Sequence, residues 1–437
     1  MGYAGLKQLI EQNAWREAGR ELGQYMNGEW DDELAVLAAT VFSALGDWEG
    51  AYTCIAQGLQ YNYRNYELYL LLGNYYERKN CNQAWLCYEN ALYYCSDEDD
   101  RRIIQQHKER VQQDDRWCVH KVSIVILTYN LKDMNMQCIG SIRDTCDPSS
   151  YELVVVDNAS TDGTLEWLQE QKDMTLVSNR ENKGFPAGCN QGIKAAEPEN
   201  DILLLNNDTE VKEDFLEEMV AAIRRHKRAF SCAARMVQYH DRDRLDDAGN
   251  FYNALGWSFA RGKGRDIHTY EKEEQIFSSC GGAAIYRRKL FEKIGYFDEE
   301  HFAYLEDTDI GYRARIYGYE NWYAPKAVVY HVGSGTSGSR YNYFKTRYSS
   351  RNNVYLIYKN MPLLQIILNL PFLAAGFLIK FLFFAVKGMG KEYLAGIKNG
   401  FSISHKGRKV PFSMKHLPNY ARIQLELWKN IFVRFTA

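Results

Sequence analysis

The chain has 437 residues, 46% of them hydrophobic, and a formal net charge of −3 at pH 7. This length allows two or three domains with packed cores, and the nearly neutral charge does not suggest nucleic-acid binding. The ten cysteines form no C-x-x-C pair and no zinc-like spacing with histidine. Because the opening residues are too polar for a signal peptide, a cytosolic protein with reduced thiols is expected.

The first 115 residues contain a repeat. Ala18, Ala51 and Ala84 follow one another at intervals of 33 residues, and a larger apolar residue comes four positions after each. The stretch "LYLLLGNYYERKNCNQAWLCYENALYY" resembles a tetratricopeptide repeat, although an ordinary helical bundle is the alternative. Stacked repeats of this kind present a concave surface, so a protein partner or self-association is expected. Residues 96–116 are predicted to form a charged capping helix.

From residue 120 onward, apolar strand-like runs alternate with helical stretches. The runs at 122–127, 153–156 and 202–205 each end in polar residues. This alternation predicts a mostly parallel sheet with right-handed crossovers. One polar strand end is explained by a turn, but three at the same edge of a sheet indicate a ligand-binding cleft.

Five motifs in this region occur in a characteristic order: "VSIVILTYN", "VVVDNASTDGT", "NKGFPAGCNQGI", "LLLNNDTEV" and "FAYLEDTDIGYRARIYGY…VVYH". Over about residues 120–360 they resemble family 2 nucleotide-sugar glycosyltransferases, nearest to the bacterial rhamnosyltransferase-like enzymes. The resemblance implies an α/β GT-A catalytic domain, Rossmann-like with a mostly parallel sheet, at 120–350. An all-α tetratricopeptide-like domain at 1–115 precedes it, and a helical, membrane-associating region at 351–437 follows.

The resemblance implies that the donor is a nucleoside-diphosphate sugar. A carboxylate at Asp157 can accept the imide N–H of a pyrimidine, which favours uridine or thymidine over guanosine. For the loop glycines, a purely structural role is an equal alternative. The residues expected to bind the nucleotide sugar are Thr128, Tyr129, Asn130, Asp157, Asn158, Lys183, Gly184, Asn190, Asn206, Asn207, Gly281 and Gly282.

The family's usual Asp-x-Asp motif corresponds here to Asn206-Asn207-Asp208. The resemblance makes Asp208 a ligand of a divalent cation, Mn²⁺ or Mg²⁺, and His331 a second ligand of the metal or of the diphosphate. One protein carboxylate can suffice, because the diphosphate adds charge of its own.

The pair Glu306-Asp307 follows an apolar stretch, which raises carboxylate basicity. The resemblance assigns the catalytic base to Asp307, with Glu306 as the alternative. Asp309 is explained as a helix N-cap. The loop 333–339 is expected to close over the diphosphate. The basic residues after it either meet phosphate or acceptor or form a solvated face: Arg340, Lys345, Arg347 and Arg351.

Residues 361–386 are strongly apolar, but Pro371 and Lys380 are predicted to break the run before it reaches spanning length. Eight Lys or Arg residues and one acid lie between 380 and 415. An apolar wedge beside a basic stretch favours peripheral binding to the inner face of the cytoplasmic membrane. A buried helical pair is the alternative.

These features together predict an inverting glycosyltransferase of cell-surface polysaccharide biosynthesis. It would move a UDP- or dTDP-linked sugar, such as dTDP-rhamnose, to a hydroxyl of a glycan, a lipid-linked glycan or a protein. The alternatives are a flagellin-type protein O-glycosyltransferase recruited by the repeats, and a repeat scaffold with an inactive transferase-like domain.

Overall fold

A computed structural model describes residues 3–26, 28, 30–79, 81–114, 122–333, 341–405 and 407–436. The loop predicted to close over the diphosphate lies outside these residues from 334 onward, as does Arg340. The chain divides into two compact units, Met1–His120 and Lys121–Ala437. The C-terminal helices therefore belong to the same unit as the sheet.

Seven α-helices make up the described part of the first unit. They are α1 (Ala4–Glu11), α2 (Trp15–Leu22), α3 (Asp32–Ala44), α4 (Trp48–Tyr61), α5 (Tyr66–Glu77), α6 (Cys81–Tyr94) and α7 (Glu98–Gln112). Four of these helices are preceded by an N-cap residue whose side chain accepts a hydrogen bond from a backbone N–H of the first turn: Asp31, Asp47, Asn65 and Asp97.

The repeated small residues lie where these helices touch. Ala18, Ala51 and Ala84 have no exposed surface. A Cβ at Gly58 of α4 would lie 2.5 Å from the Cβ of Ala35 in α3, and one at Gly73 of α5 would lie 2.3 Å from the ring of Tyr88 in α6. These close approaches explain the spacing, and the predicted helical-repeat character of this unit is confirmed.

The second unit is built on a twisted sheet. Its strands are β1 (Val122–Thr128), β2 (Tyr151–Asp157), β3 (Thr175–Ser178), β4 (Asp201–Asn206), β5 (Thr209–Val211), β6 (Ala229–Gln238), β7 (Leu245–Asp247), β8 (Asn250–Tyr252), β9 (Ser258–Ala260), β10 (Glu274–Ile276), β11 (Ala283–Tyr286) and β12 (Glu320–His331). The main sheet has the order β10-β12-β6-β11-β4-β1-β2-β3, with β5 paired to β12 and β7 to β6. The strands β8 and β9 form a separate hairpin-like pair.

Ten α-helices complete the described part of this unit. They are α8 (Lys132–Thr145), α9 (Thr164–Glu170), α10 (Phe185–Ala195), α11 (Phe215–Arg225), α12 (Phe291–Ile294), α13 (Glu306–Ile316), α14 (Tyr343–Asn360), α15 (Leu363–Val386), α16 (Gly390–Ser404) and α17 (Leu417–Thr436). Helices α8 and α11 pack on one face of the sheet, while α10, α12 and α13 cover the other.

The strand register brings the polar strand ends to one edge. β1 runs parallel to both β2 and β4, with Thr128 opposite Asp157 and Leu127 opposite Asn206. β11 is antiparallel to β4 and places Ala283 opposite Leu205. The predicted cleft therefore lies at the carboxyl ends of β1, β2 and β4.

The expected break at Pro371 is wrong. Helix α15 is continuous for 24 residues with Pro371 inside it. A proline removes only one backbone donor, and residues on both sides of Pro371, Asn369 and Leu373, are buried against the rest of the unit. Among the described residues, α15 is the one helix whose length and composition suffice to cross a membrane.

Candidate active site

The ends of β1 and β4 are joined by hydrogen bonds. Asn207 donates from Nδ2 to Thr128 Oγ1 over 3.2 Å. Asn130 has φ of 60°, and its Oδ1 accepts from the backbone N–H of Thr161. Tyr129 lies between Thr128 and Asn130 and is 37% exposed. The structure thus brings these four predicted residues together, with Tyr129 the one most open to a ligand.

Asp157 follows at the end of β2. Its side chain is buried, and Oδ2 accepts from the backbone N–H of Ser160 over 3.1 Å. Its Oδ1 has no hydrogen-bond partner among the residues that the structure describes. A buried acceptor without a donor is uncommon, and a ligand N–H such as the imide of a pyrimidine would satisfy it.

Three residues predicted to bind the donor instead shape the loop before α10. Asn158 donates to Asn182 Oδ1 and accepts from the backbone N–H of Lys183, whose own side chain is exposed. Gly184 has φ of 83°, and a Cβ there would lie 2.4 Å from the carbonyl oxygen of Phe302. For Asn158 and Gly184 the observed role is to hold the loop.

The side chain of Asn190, predicted to bind the donor, makes hydrogen bonds within the protein. Its Nδ2 donates to the carbonyl oxygen of Phe297 over 2.8 Å and to Glu299 Oε1 over 2.9 Å. Its Oδ1 accepts from the backbone N–H of Phe297. Because both ends of this buried amide are used, Asn190 ties α10 to the segment before α13.

Gly281 and Gly282 lie beside the end of β4. The backbone N–H of Asn206 donates to the carbonyl oxygen of Gly282 over 2.8 Å, and a Cβ on Gly282 would lie 3.0 Å from Asn206 Nδ2. A Cβ on Gly281 would lie 3.2 Å from the ring of Phe185. The predicted glycine pair therefore gives the cleft a wall without side chains next to Asn206.

The two predicted metal ligands meet at the same edge. β5 pairs with the end of β12, and the backbone N–H of Val332 donates to the carbonyl oxygen of Asp208. His331 Nε2 then lies 3.3 Å from Asp208 Oδ1. Two neighbouring ligands of an octahedral cation at about 2.1 Å would lie about 3 Å apart, so this spacing fits one shared ion.

Asp246, which sequence reasoning missed, orients the histidine. His331 Nδ1 lies 2.8 Å from Asp246 Oδ2, and Lys263 Nζ lies 2.6 Å from the other oxygen of Asp246. Metal-binding histidines commonly donate their second ring nitrogen to a carboxylate in this way. Burial alone lowers the pKa of His331, but the hydrogen bonds to Asp208 and Asp246 outweigh burial and raise the pKa to about 9.

The predicted base lies in the first turn of α13. Asp307 accepts at Oδ1 from the backbone N–H of Thr308 and at Oδ2 from Asn250 Nδ2 over 3.0 Å. Its side chain is half-buried, and burial raises its pKa to about 6 against the opposing effect of these hydrogen bonds. A carboxylate of this kind is ionised at neutral pH and more basic than an ordinary aspartate.

Glu306 is in a different state. It is 7% exposed, and its Oε2 is buried without a hydrogen-bond partner in the described part of the chain. Burial first, and then the charge of Asp307, raise its pKa to about 8. The pKa of both carboxyls is raised, and Asp307, whose hydrogen bonds from Thr308 and Asn250 favour its charged form, is the one suited to accept a proton.

The segment before Asp307 is held in an unusual backbone conformation. Phe302, Tyr304 and Leu305 have φ of 58°, 72° and 68°. Asn352 of α14 places its Nδ2 within 2.8 Å of the carbonyl oxygens of His301, Ala303 and Tyr304. Such conformations persist only when their surroundings enforce them, and they are concentrated at functional sites.

The segment 246–250, "DDAGN", connects the two halves of the site. Asp246 contacts His331, and Asn250 contacts Asp307. Asp247 between them is buried, and burial raises its pKa to about 7. The only sequence signal was an acidic pair next to a glycine, which a turn explains equally well.

A second acidic cluster, Asp298, His301 and Asp309, has ligand atoms close enough to share an ion. However, Lys359 Nζ lies 2.5 Å from Asp298 and 2.9 Å from Asp309. Burial opposes ionisation of Asp309, but Lys359 and Arg313 lower its pKa well below the ordinary value. A lysine thus already supplies the cation, and Asp309 is a buried ion-pair partner rather than the predicted N-cap.

Residues 123–295 match the model of the glycosyl transferase family 2. The match covers β1 to β11, including the strand ends and the glycine pair, and the predicted GT-A fold with its mostly parallel sheet is confirmed.

The similarity to known proteins extends over part of the chain. Protein y4gI of Sinorhizobium fredii is 28% identical over 232 residues, which are 50% of this chain and 25% of that protein. The N-acetylglucosaminyl-diphospho-decaprenol L-rhamnosyltransferase of Mycobacterium tuberculosis is 25% identical over 209 residues, 43% of this chain and 68% of that enzyme. Among solved structures, the mannosyltransferase PcManGT of Pyrobaculum calidifontis has a TM-score of 0.42 at 16% identity, covering 73% of this chain and 99% of the other.

Proposed function

We propose that this protein is an inverting, metal-dependent glycosyltransferase that uses a pyrimidine nucleoside-diphosphate sugar. One observation carries the proposal: the segment 246–250 contacts His331 at one end and Asp307 at the other. A candidate metal ligand and a candidate base of raised pKa therefore belong to a single site.

The residues fit a divalent cation held by Asp208 and His331. When bound, Mn²⁺ or Mg²⁺ would supply positive charge for the diphosphate leaving group. Asp246 accepts from His331 Nδ1 and so keeps Nε2 available as a ligand atom.

Asp307 carries the proton transfer. It accepts the proton of an acceptor hydroxyl as the oxygen attacks the anomeric carbon on the side opposite the leaving group. Inversion at that carbon follows from a single displacement. Burial raises the pKa of Glu306 and so disfavours a second charge beside the base.

The base pocket supports a uridine or thymidine nucleotide. The unpaired Oδ1 of Asp157 can accept the N–H of a pyrimidine imide. A dTDP-linked deoxysugar such as dTDP-rhamnose fits this pattern, and one relative is a rhamnosyltransferase by name.

The C-terminal helices support attachment to a membrane surface. The buried residues of α15 are Gln365, Asn369, Leu373 and Gly376, and Asn369 pairs with Gln424 of α17 through two hydrogen bonds of 2.8 Å. The exposed side of α15 is apolar and includes Leu363, Ile367, Leu370, Leu378, Leu382 and Val386. A helix that buries two amides and exposes an apolar face departs from the pattern expected for a core helix in water.

This packing favours a helix that lies on the membrane rather than through it. The buried residues 365–376 rest on the second unit over about 17 Å of helix length at about 1.5 Å per residue. Only residues 377–386 remain beyond them, fewer than the roughly 20 residues that a span requires. We place the protein on the inner face of the cytoplasmic membrane, where an acceptor carried by a lipid would be within reach.

A donor screen tests the proposed function. The full chain is incubated with UDP-, dTDP- and GDP-sugars, with Mn²⁺ or with EDTA, and nucleotide release is measured. We expect release from a uridine or thymidine donor that depends on the cation and is lost in Asp208→Ala. Release from none of these donors, or undiminished release in EDTA, would overturn the proposal.

A further inference from the structure

A buried arginine holds the segment 246–250, which connects the two halves of the site. Arg261 directly follows β9 and is 5% exposed. Its guanidinium donates twice to the carbonyl oxygen of Ala248, from Nε over 3.1 Å and from Nη2 over 2.9 Å. Ala248 is the middle residue of the segment, two positions from each of the two residues that contact the site. The guanidinium therefore holds the segment between those two contacts.

The turn around Ala248 is fixed at several further points. Gly249 has φ of 104°, and a Cβ there would lie 2.4 Å from Ile276 Cγ2. The backbone N–H of Gly249 donates to Asp247 Oδ1 over 2.5 Å. Two backbone hydrogen bonds join the turn to Arg261, from the N–H of Ala248 over 2.9 Å and to the carbonyl oxygen of Gly249 over 3.0 Å. Because the turn is constrained in this way, a displacement of Ala248 would be carried to both ends of the segment.

The guanidinium of Arg261 is itself enclosed. Its Nη1 pairs with Glu274 Oε2, and the group lies over the rings of Tyr270, Phe251 and Tyr323 at 4.4, 5.3 and 5.4 Å. A buried cation is costly unless it is paired, and aromatic faces favour it. A planar guanidinium can donate to one oxygen from two nitrogens while a third nitrogen reaches a carboxylate, whereas a lysine ammonium is a single point charge. The arrangement around this side chain is therefore specific for arginine.

We propose that Arg261 is a positioning residue that couples the candidate metal site to the candidate base. By holding the middle of the segment, it places Asp246 against His331 at one end and Asn250 against Asp307 at the other. The inference rests on the proposed transferase function and adds a residue that acts on both halves of the site. An arginine that served only the fold would affect stability and leave cation binding and the basicity of Asp307 unchanged.

The first test measures Mn²⁺ binding to the full chain by calorimetry, with UDP or dTDP present. Arg261→Lys keeps the charge but loses the double donation to the carbonyl oxygen, so Asp246 should orient His331 less well. Removing a direct partner of a metal ligand costs about tenfold to 100-fold in metal affinity, and Arg261 acts one step further away. We therefore expect Arg261→Lys to weaken Mn²⁺ binding about threefold to tenfold and Asp208→Ala to weaken it more.

The second test measures kcat/KM for donor hydrolysis from pH 5 to pH 9, with water in place of the acceptor hydroxyl. The hydrogen bond from Asn250 favours the charged form of Asp307, so a displaced Asn250 should raise the pKa of Asp307. The deprotonated base is the active form, so the fall of activity in Arg261→Lys should begin about half a unit to one unit higher in pH than in the wild type. The ionisable groups around Asp307 are the same in both proteins: Glu306 in α13, Asp247 in β7, Cys280 before β11 and Tyr286 in β11.

Arg287→Lys is the matched control. Arg287 follows β11 and also donates to backbone carbonyl oxygens, from Nε to Ala229 over 3.1 Å and from Nη2 to Ile223 over 2.7 Å. It lies at the sheet edge opposite the cleft, because β11 runs antiparallel to β4. Arg287→Lys should therefore lower the Tm about as much as Arg261→Lys does, and should leave Mn²⁺ affinity and the pH dependence unchanged.

The inference fails if Arg261→Lys keeps the wild-type value of either property, or if Arg287→Lys shifts both properties as far. If Arg261→Lys does not fold, Glu274→Gln decides, because this half-exposed carboxylate holds the other end of the guanidinium. Glu274→Gln should weaken Mn²⁺ binding about twofold to threefold, and unchanged binding would refute the inference. Equal Mn²⁺ binding by the wild type and Asp208→Ala would instead refute the proposed function. Loss of binding in Asp208→Ala with wild-type binding in Arg261→Lys refutes the positioning role alone.

Discussion

Removing the hydrogen bond from Asn250 to Asp307 should shift the pH dependence of transfer to higher pH. Asn250 Nδ2 donates to Asp307 Oδ2 over 3.0 Å, and this bond favours the charged form of the carboxylate. A hydrogen bond to a charged group contributes about 1.5–3 kcal/mol, and one pKa unit corresponds to about 1.4 kcal/mol. In Asn250→Ala the pKa of Asp307, about 6 in the wild type, should therefore rise by about one to two units.

The direction follows from the role of a base. Asp307 is active when deprotonated, so activity falls as the pH drops below its pKa, and a higher pKa moves that fall to higher pH. At pH 6.5 the variant should lose about tenfold in kcat/KM, while at pH 9 it should approach the wild type. The assay is nucleotide release with acceptor, measured from pH 5 to pH 9, once the donor screen has named a donor.

Two further variants serve as controls for this result. Asp307→Asn should lose transfer at every pH, because an amide cannot accept the proton. Asn419→Ala removes a side-chain hydrogen bond to a carbonyl oxygen in α13 and should not change the pH at which activity falls. If the activity of Asn250→Ala falls at the same pH as that of the wild type, or at a lower pH, then Asp307 is not the titrating base.

The remaining predictions concern the metal, the repeats and the membrane. Asp208→Ala and His331→Ala should each weaken cation-dependent donor binding by about tenfold or more, and EDTA should mimic them in calorimetry; equal donor affinity with EDTA would contradict the assignment. Deleting residues 1–115 should leave donor hydrolysis intact and impair transfer to the natural acceptor or self-assembly, whereas a truncated enzyme normal in both would separate the repeats from recognition. The double variant Leu378→Ser and Leu382→Ser should reduce flotation with anionic liposomes, while resistance of the wild type to salt and carbonate would instead indicate a spanning helix.

The elements of the second unit could be predicted because their signals are local. The apolar runs that became β1, β2 and β4 are β-branched or fully apolar, and each ends in polar residues. The helical repeat was also visible, since Ala18, Ala51 and Ala84 mark the places where helices touch. The break expected at Pro371 is wrong because the packing of α15 against the rest of the unit keeps the helix continuous.

The candidate site was predicted only in part. Asp208, His331 and Asp307 stand in motifs with a recognisable order, whereas Asp246 and Asn250 lie in the short strands β7 and β8, on either side of a tight turn with no motif of its own. Asn190 was predicted to meet the donor because it follows the glycine-rich loop. The structure directs its amide to Phe297 instead, and that partner lies 107 residues away along the chain.

The sequence by itself determined the strands β1, β2 and β4, the helical repeat, and which side chains are available for chemistry, because periodicity and residue type act over a few positions. Tertiary structure decided which of those side chains meet. The pairing of β5 with β12 brings His331 to Asp208, and the loop after β7 brings Asn250 to Asp307. Tertiary structure also raises the pKa values of Glu306 and Asp307, two neighbours in one helical turn, to about 8 and about 6. Burial causes both shifts, and burial depends on everything packed around a group rather than on the residues beside it in the chain.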